Sequence, residues 1–141
     1  MLQMIPVEQA KQLIEQHITR LSIVSMPLHK AMGLVLAEDL IAPYNIPAYP
    51  QSSMDGYALA FDSVGTDIVI DGEMAAGSGE FIRMKRGVAV RIFTGAAVPE
   101  GADTVVPQEK IKLDGNKLLI TDANLKRGDN VRPVGSEIRK A

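Results

Sequence analysis

The chain has 141 residues, of which 46% are hydrophobic and 23% charged, and its formal net charge is −2. This composition is typical of a soluble globular protein with one domain or two small ones. Fifteen Lys and Arg stand against seventeen Asp and Glu with no basic block, so we expect no nucleic-acid partner. The absence of cysteine excludes disulfides, thiolate metal sites and cysteine nucleophiles.

The hydropathy of the sequence argues against a membrane protein. No apolar run approaches the roughly 20 residues that cross a bilayer. The N-terminal residues lack the basic segment and apolar stretch of a secretory signal. We therefore expect no membrane partner and a cytoplasmic location.

The first forty residues predict one long helix and one strand. Apolar residues recur at helical spacing from Val7 to Leu21, and Pro6 suits a first helical turn. A short helical turn closed by Gly33 is expected next, followed by a strand over residues 34–41. This segment therefore supplies the single long helix of the predicted fold.

The remainder of the chain has a β pattern. Prolines at positions 43, 47 and 50 mark a domain boundary or a rigid crossover. Short apolar or β-branched runs at residues 67–70, 88–93 and 104–106 predict strands. Two further β segments flank Asp114, Gly115 and Asn116, which are typical of a tight hairpin. We predict a mainly β, α+β fold with an N-terminal helix.

The stretch SSMDGYA raises the first functional question. Its Pro-rich lead-in restrains the backbone, so Asp55 is presented by a stiff segment. Gly56 lets a ligand or another backbone approach closely. The residues alone leave two interpretations open: a working carboxylate, or an Asp-Gly turn before a strand in which Tyr57 belongs to the core.

The stretch RIFTGAAVPEGADTVV raises the second. A β run ends in Thr94, Gly95 and Ala96, where a hydroxyl and exposed backbone N–H groups could hold an oxyanion. The alternative is a simple strand–loop–strand connection. The lysine and the spacing of a phosphate-binding Walker A loop are missing.

Four stretches together resemble one known family. They are TRLSIVSMPLHKAMGLVLAEDL, NIPAYPQSSMDGYALA, VAVRIFTGAAVPEGADTVVPQEK and GDNVRPVGSEIRKA, and they occur in the family's order. The family is that of molybdopterin molybdenumtransferase (MoeA), which includes the E domain of gephyrin, and the similarity is to its N-terminal region. It extends over residues 6–140.

The resemblance implies an activity. Members of the family insert molybdate into adenylylated molybdopterin and release AMP in a step that depends on a divalent metal. It implies that Asp55 and Thr94 are catalytic and face a pterin-binding domain of the other subunit of a homodimer. We expect Mg²⁺ as cofactor, with Asp55 as its ligand or as an acid that orients water, and Thr94 with the N–H groups around Gly95 and Ala96 as oxyanion donors. The binding residues expected are Ser53, Gly56, Gly95 and Ala96.

The resemblance also implies an architecture. Bifurcated and coiled β-sheets over residues 46–124 would be carried by an elongated region of residues 1–45 with 125–141. Family enzymes continue into a larger α/β domain, so we expect this chain to be a portion that is inactive alone. Its partners would be adenylylated molybdopterin and molybdate, bound together with that further domain. The alternative is a non-catalytic dimerisation or protein-interaction module.

Overall fold

A computed structural model describes residues 4–79 and 82–141 of the chain. The backbone forms two compact units, Met1–Leu40 and Ile41–Ala141. The division predicted from the sequence, residues 1–45 with 125–141 and residues 46–124, stays a prediction. No helix in the described part of the chain is long and apolar enough to cross a membrane.

The first unit contains the helix α1, Val7–His17, and a short 3-10 turn, Leu28–Lys30. The helix is shorter than the predicted 7–21, because the chain turns extended at Ile18, a β-branched residue with lower helix propensity. The strand predicted over residues 34–41 is wrong: the described chain gives this segment no strand pairing. A strand needs a hydrogen-bonded neighbour, and apolar composition alone does not supply one.

The described residues of the second unit form eight short strands in two sheets. They are β1 (Gln51–Ser52), β2 (Gly56–Leu59), β3 (Val69–Met74), β4 (Val88–Ile92), β5 (Thr104–Pro107), β6 (Ile111–Asp114), β7 (Lys117–Ile120) and β8 (Val131–Arg132). β1 pairs with β8, and the other six form a sheet in the order β5-β2-β4-β3-β7-β6. All neighbouring pairs are antiparallel except β3 and β4.

The large sheet is covered on both faces around β2. Alternate side chains of the central strands enter two apolar clusters, one containing Tyr57 and Leu59 and the other Ala58. All four residues of β2 are buried. A strand that is buried on both faces shows a continuous apolar run rather than alternation, as "GYAL" does.

The predicted hairpin is present. β6 and β7 pair in register from Ile111 with Ile120 to Asp114 with Lys117, and Gly115 has a φ of +58°. The expected fold class is therefore confirmed: residues 4–79 and 82–141 are mainly β with one α-helix. The sheet arrangement places the start of β2 beside the end of β4, and both sequence-predicted sites lie at this point.

Candidate functional site

Two loops meet where β2 begins and β4 ends. Gly95 N–H donates to the Ser52 carbonyl at 2.8 Å, and Ser52 N–H donates to the Ala96 carbonyl at 3.0 Å. Ser52 is fully buried, so these bonds are shielded from water. The segment around Asp55 and the turn that follows β4 thus form one hydrogen-bonded corner.

The Asp55 carboxylate is held by one residue of the facing turn. Oδ1 accepts the backbone N–H of Thr94 at 2.8 Å and the hydroxyl of Thr94 at 2.9 Å. Oδ2 accepts no hydrogen bond from the described residues. Both residues are exposed. The structure therefore brings together the two residues expected to be catalytic and leaves one carboxylate oxygen open to solvent.

The same contacts keep this carboxylate charged. The N–H of Thr94, then its hydroxyl, hold the pKa of Asp55 below its ordinary value, because both donors favour the ionised form. Arg91 adds a smaller electrostatic effect in the same direction, and desolvation opposes it. At neutral pH the site presents an anion, which can bind a cation or accept a hydrogen bond from water.

Close packing against the neighbouring backbone requires a glycine at position 56. A Cβ at this position would lie 2.0 Å from the Val106 carbonyl oxygen and 3.0 Å from the Pro107 Cα. The close neighbour that the sequence could not identify is therefore β5. A binding role for Gly56 stays a prediction.

The turn after β4 does not offer free backbone donors at the predicted positions. Gly95 N–H is bonded to Ser52, and Ala96 N–H donates to the Phe93 carbonyl at 3.0 Å. Ala96 is also fully buried. In this structure both N–H groups are used in closing the turn, and their expected role as oxyanion donors stays a prediction. Binding roles for both residues remain untested predictions.

Backbone hydrogen bonds connect this region to the Pro-rich lead-in and to the C-terminal segment. The Pro50 carbonyl accepts the N–H of Val98 at 2.9 Å, and the Pro47 carbonyl accepts that of Gly135 at 2.9 Å. Ser53 N–H donates to the Asn130 carbonyl at 3.0 Å. Ser53 is thus anchored through its backbone, and its predicted binding role is untested.

Sequence reasoning missed three residues of this corner. Arg91 donates to the Gly56 carbonyl and to Gln108, while Asn130, at a positive φ of 58°, donates through Nδ2 to the Val105 carbonyl at 2.9 Å. One signal was present for Arg91, since a charge inside the run VAVRIF must find partners when its strand is buried. Gln108 and Asn130 carry no local signal.

Asp55 suits a divalent cation only as a single ligand. Among the described residues, no group of three or more His, Asp or Glu side chains could hold a metal ion. Mg²⁺ often takes one or two protein carboxylates and fills its other positions with water and substrate phosphates. A charged, exposed carboxylate with one open oxygen fits that requirement.

Comparison with known proteins identifies the family. The MoeA N-terminal region (domain I and II) matches residues 5–141, nearly the whole chain. This chain belongs to that family. The resemblance seen in the sequence motifs is therefore confirmed.

Named relatives and a solved structure agree. A Haemophilus influenzae protein named molybdopterin molybdenumtransferase is 33% identical over 115 residues, which cover 80% of this chain and 28% of that protein. One from Staphylococcus epidermidis with the same name is 32% identical over 140 residues, covering 94% and 33%. The crystal structure of the Pyrococcus horikoshii molybdopterin biosynthesis moeA protein matches with a TM-score of 0.80 and 26% identity, covering 99% of this MoeA region and 38% of that chain. The chain therefore spans about a third of the length of these proteins.

Proposed function

We propose that this chain contributes one wall of the active site of a molybdopterin molybdenumtransferase. In this proposal the complete enzyme inserts molybdate into adenylylated molybdopterin and releases AMP, while the pterin is bound by a further domain. The chain alone would be inactive, because the remainder of the proposed site would come from that further domain. Support comes from the family membership and from the names of the relatives.

One observation carries the assignment of roles. Thr94 uses both of its donors on Oδ1 of Asp55, which leaves Oδ2 exposed and charged. A surface carboxylate with this support is held in one rotamer, so its open oxygen points in a defined direction. Asp55 would act through Oδ2, and Thr94 would act by fixing Asp55.

The charge of the substrates determines which ligand Asp55 would bind. The substrates are anions, so a carboxylate facing them directly would repel them. Mg²⁺ held by Oδ2 would neutralise the charges of both the Asp55 carboxylate and the substrate, and would stabilise charge on the leaving phosphate. Asp55 would then supply one ligand, with the remainder coming from water, from substrate or from the pterin-binding domain.

The substitution Asp55→Asn tests the role of the charge. An Asn keeps an Oδ1 acceptor for both Thr94 donors but cannot provide an anionic Oδ2. In a fusion of this chain to the remaining portion of a family relative, we expect molybdenum cofactor formation to fall at least about 100-fold, the usual size of a lost catalytic group. Asp71→Asn, an exposed acid on β3, is the matched control.

Near-normal turnover of the Asp55→Asn fusion with an active Asp71→Asn control would remove the catalytic role. Binding of Mg²⁺ in the presence of a phosphate-containing substrate should weaken in the same variant. If turnover falls while metal affinity is unchanged, Asp55 acts on water rather than on the ion. That result would contradict the metal part of the proposal alone.

A second candidate function is self-association through the first unit. None of the described residues 4–40 is buried. Even large apolar side chains, such as those of Leu21, Met32 and Val35, are more than nine-tenths exposed. Exposed apolar surface of this extent marks an interaction site. We propose a second copy of the chain as the partner, in a symmetric homodimer.

Light scattering after size exclusion tests this self-association. The apolar stripe of α1 includes Leu13 and Ile14, both more than 40% exposed. Ile14→Lys should shift the chain from dimer to monomer, whereas Glu15→Lys on the same helix should not. A strictly monomeric wild-type chain at high concentration would contradict dimerisation through this unit.

A further inference from the structure

A charged side chain in the middle of β4 connects the elements around Asp55. Arg91 lies between Val90 and Ile92, which are 1% and 0% exposed, and its own side chain lies on the sheet face of Tyr57. Nη1 donates to the Gly56 carbonyl at 2.9 Å, and Nη2 donates to Oε1 of Gln108 at 2.8 Å. No carboxylate among the described residues forms an ion pair with it.

Two aromatic rings hold the guanidinium in this direction. Its central carbon lies 5.2 Å from the ring centre of Tyr57 and 4.8 Å from that of Phe93. Attraction between a cation and the faces of aromatic rings is favourable at these distances. The planar guanidinium then has a fixed set of donor directions, which a flexible ammonium would lack.

Both acceptors of Arg91 lie next to Asp55 in the structure. Gly56 is the following residue in the chain, and Gln108 donates its backbone N–H to the Asp55 carbonyl at 3.1 Å. The main chain of Asp55 is therefore hydrogen-bonded to the 3-10 turn Gln108–Lys110, and Arg91 bridges this turn and the first residue of β2. The side chain of Gln108 also donates to Glu109, the nearest acid in that turn, at 3.2 Å.

We propose that Arg91 is a positioning residue for Asp55: its guanidinium joins the Gly56 carbonyl to Gln108 and thereby fixes the backbone from which the carboxylate extends. Thr94 then holds the carboxylate itself. Arg91 touches no substrate in this scheme. The importance of this positioning for catalysis rests on the proposed function, but the positioning itself does not.

The test uses the amide signals of Thr94 and Gln108 in the chain as it exists. Arg91→Met keeps the stem of the side chain but removes both bridging hydrogen bonds and the charge. We expect hydrogen exchange at the Gln108 amide to become about tenfold faster or more, from the loss of charge-assisted hydrogen bonds. The Thr94 amide proton should move upfield as its bond to the carboxylate lengthens.

Two further variants separate positioning from general destabilisation. Arg91→Lys keeps the charge but not the planar fork, so it should restore neither signal. Arg127→Met removes another ring-stacked arginine, near Phe61, and should leave both signals unchanged. Full recovery in Arg91→Lys, or unchanged signals in Arg91→Met, would overturn the proposal.

Gln108→Ala covers the case in which Arg91→Met does not fold. It removes the Oε1 acceptor of Arg91, together with the Nε2 group that donates to Glu109, from an exposed side chain, and should speed exchange at its own amide relative to wild type. No change there would overturn the bridging role. None of these measurements involves molybdopterin, so a failed Asp55→Asn activity test would leave this inference standing, and the reverse also holds.

Discussion

Replacing Gly56 by Ala should test how closely β5 approaches β2 at this position. The added Cβ would lie 2.0 Å from the Val106 carbonyl oxygen and 2.8 Å from its carbonyl carbon. Both atoms belong to the backbone of β5, so no rotamer change relieves the overlap. To restore a separation of 3.0 Å, β5 must move away from β2 by about 1 Å.

The free-energy cost follows from this displacement. Overpacking a tight site usually costs about 1–3 kcal/mol, and weakening the neighbouring ladder hydrogen bonds adds about 1 kcal/mol each. We expect Gly56→Ala to lower the free energy of unfolding by about 3–4 kcal/mol, a large share of the roughly 5–15 kcal/mol of an ordinary domain. The melting temperature should fall by at least about 12 °C.

Gly65→Ala is the matched control for this experiment. Gly65 has a φ of +85° and nothing within 4 Å of its added Cβ, so Ala there meets only backbone strain of about 1–2 kcal/mol. Chemical denaturation followed by circular dichroism measures both variants. If Gly56→Ala is no less stable than Gly65→Ala, the contact with β5 does not explain this glycine.

Two further predictions concern the acids of the second unit. Thr94→Val keeps the N–H donor and removes the hydroxyl, so the pKa of Asp55 should rise toward its ordinary value, measured by a carbon-detected NMR titration. A lowered pKa contributes stability to the folded state, and this stability is lost as the pH falls through the folded-state pKa. In the variant this loss should therefore occur at a higher pH. An unchanged titration midpoint of Asp55 would contradict the prediction. Asp103→Ala removes the acceptor of a backbone N–H and a buried hydroxyl, and should cost about 2–3 kcal/mol. Arg127→Ala, which breaks half-exposed ion pairs, should cost about 1 kcal/mol, and the reverse order in urea unfolding would refute the comparison.

Features with local causes could be predicted from the sequence. The hairpin between β6 and β7 follows from Gly115 in its turn, and the strand over Val88–Ile92 follows from its apolar run. Thr94 could be placed at a strand end for the same reason. The motifs suggested that Thr94 and Asp55 lie close together. Their contact depends on the pairing of β2 with β4, and no local sequence pattern predicts that pairing.

The failures have a common physical cause. Residues 34–41 have strand-like composition, but a strand requires a partner that composition does not name. In the same way, the sequence cannot show that the carbonyl groups of Ser52 and Phe93 accept the N–H groups of Gly95 and Ala96. In each case a hydrogen-bond partner distant from the local pattern, or a particular turn geometry, decided the outcome.

The two oxygens of the Asp55 carboxylate differ in their environment, because Oδ1 accepts two hydrogen bonds from Thr94 and Oδ2 accepts none from the described residues. If Asp55 binds a cation as proposed, the ion would meet Oδ2 only, and the bidentate coordination that Ca²⁺ commonly accepts would not be available. A small octahedral ion needs no more than one corner from this residue. In the proposed metal-binding role, selection by ionic size would therefore depend on Thr94, which bonds to the carboxylate rather than to the ion.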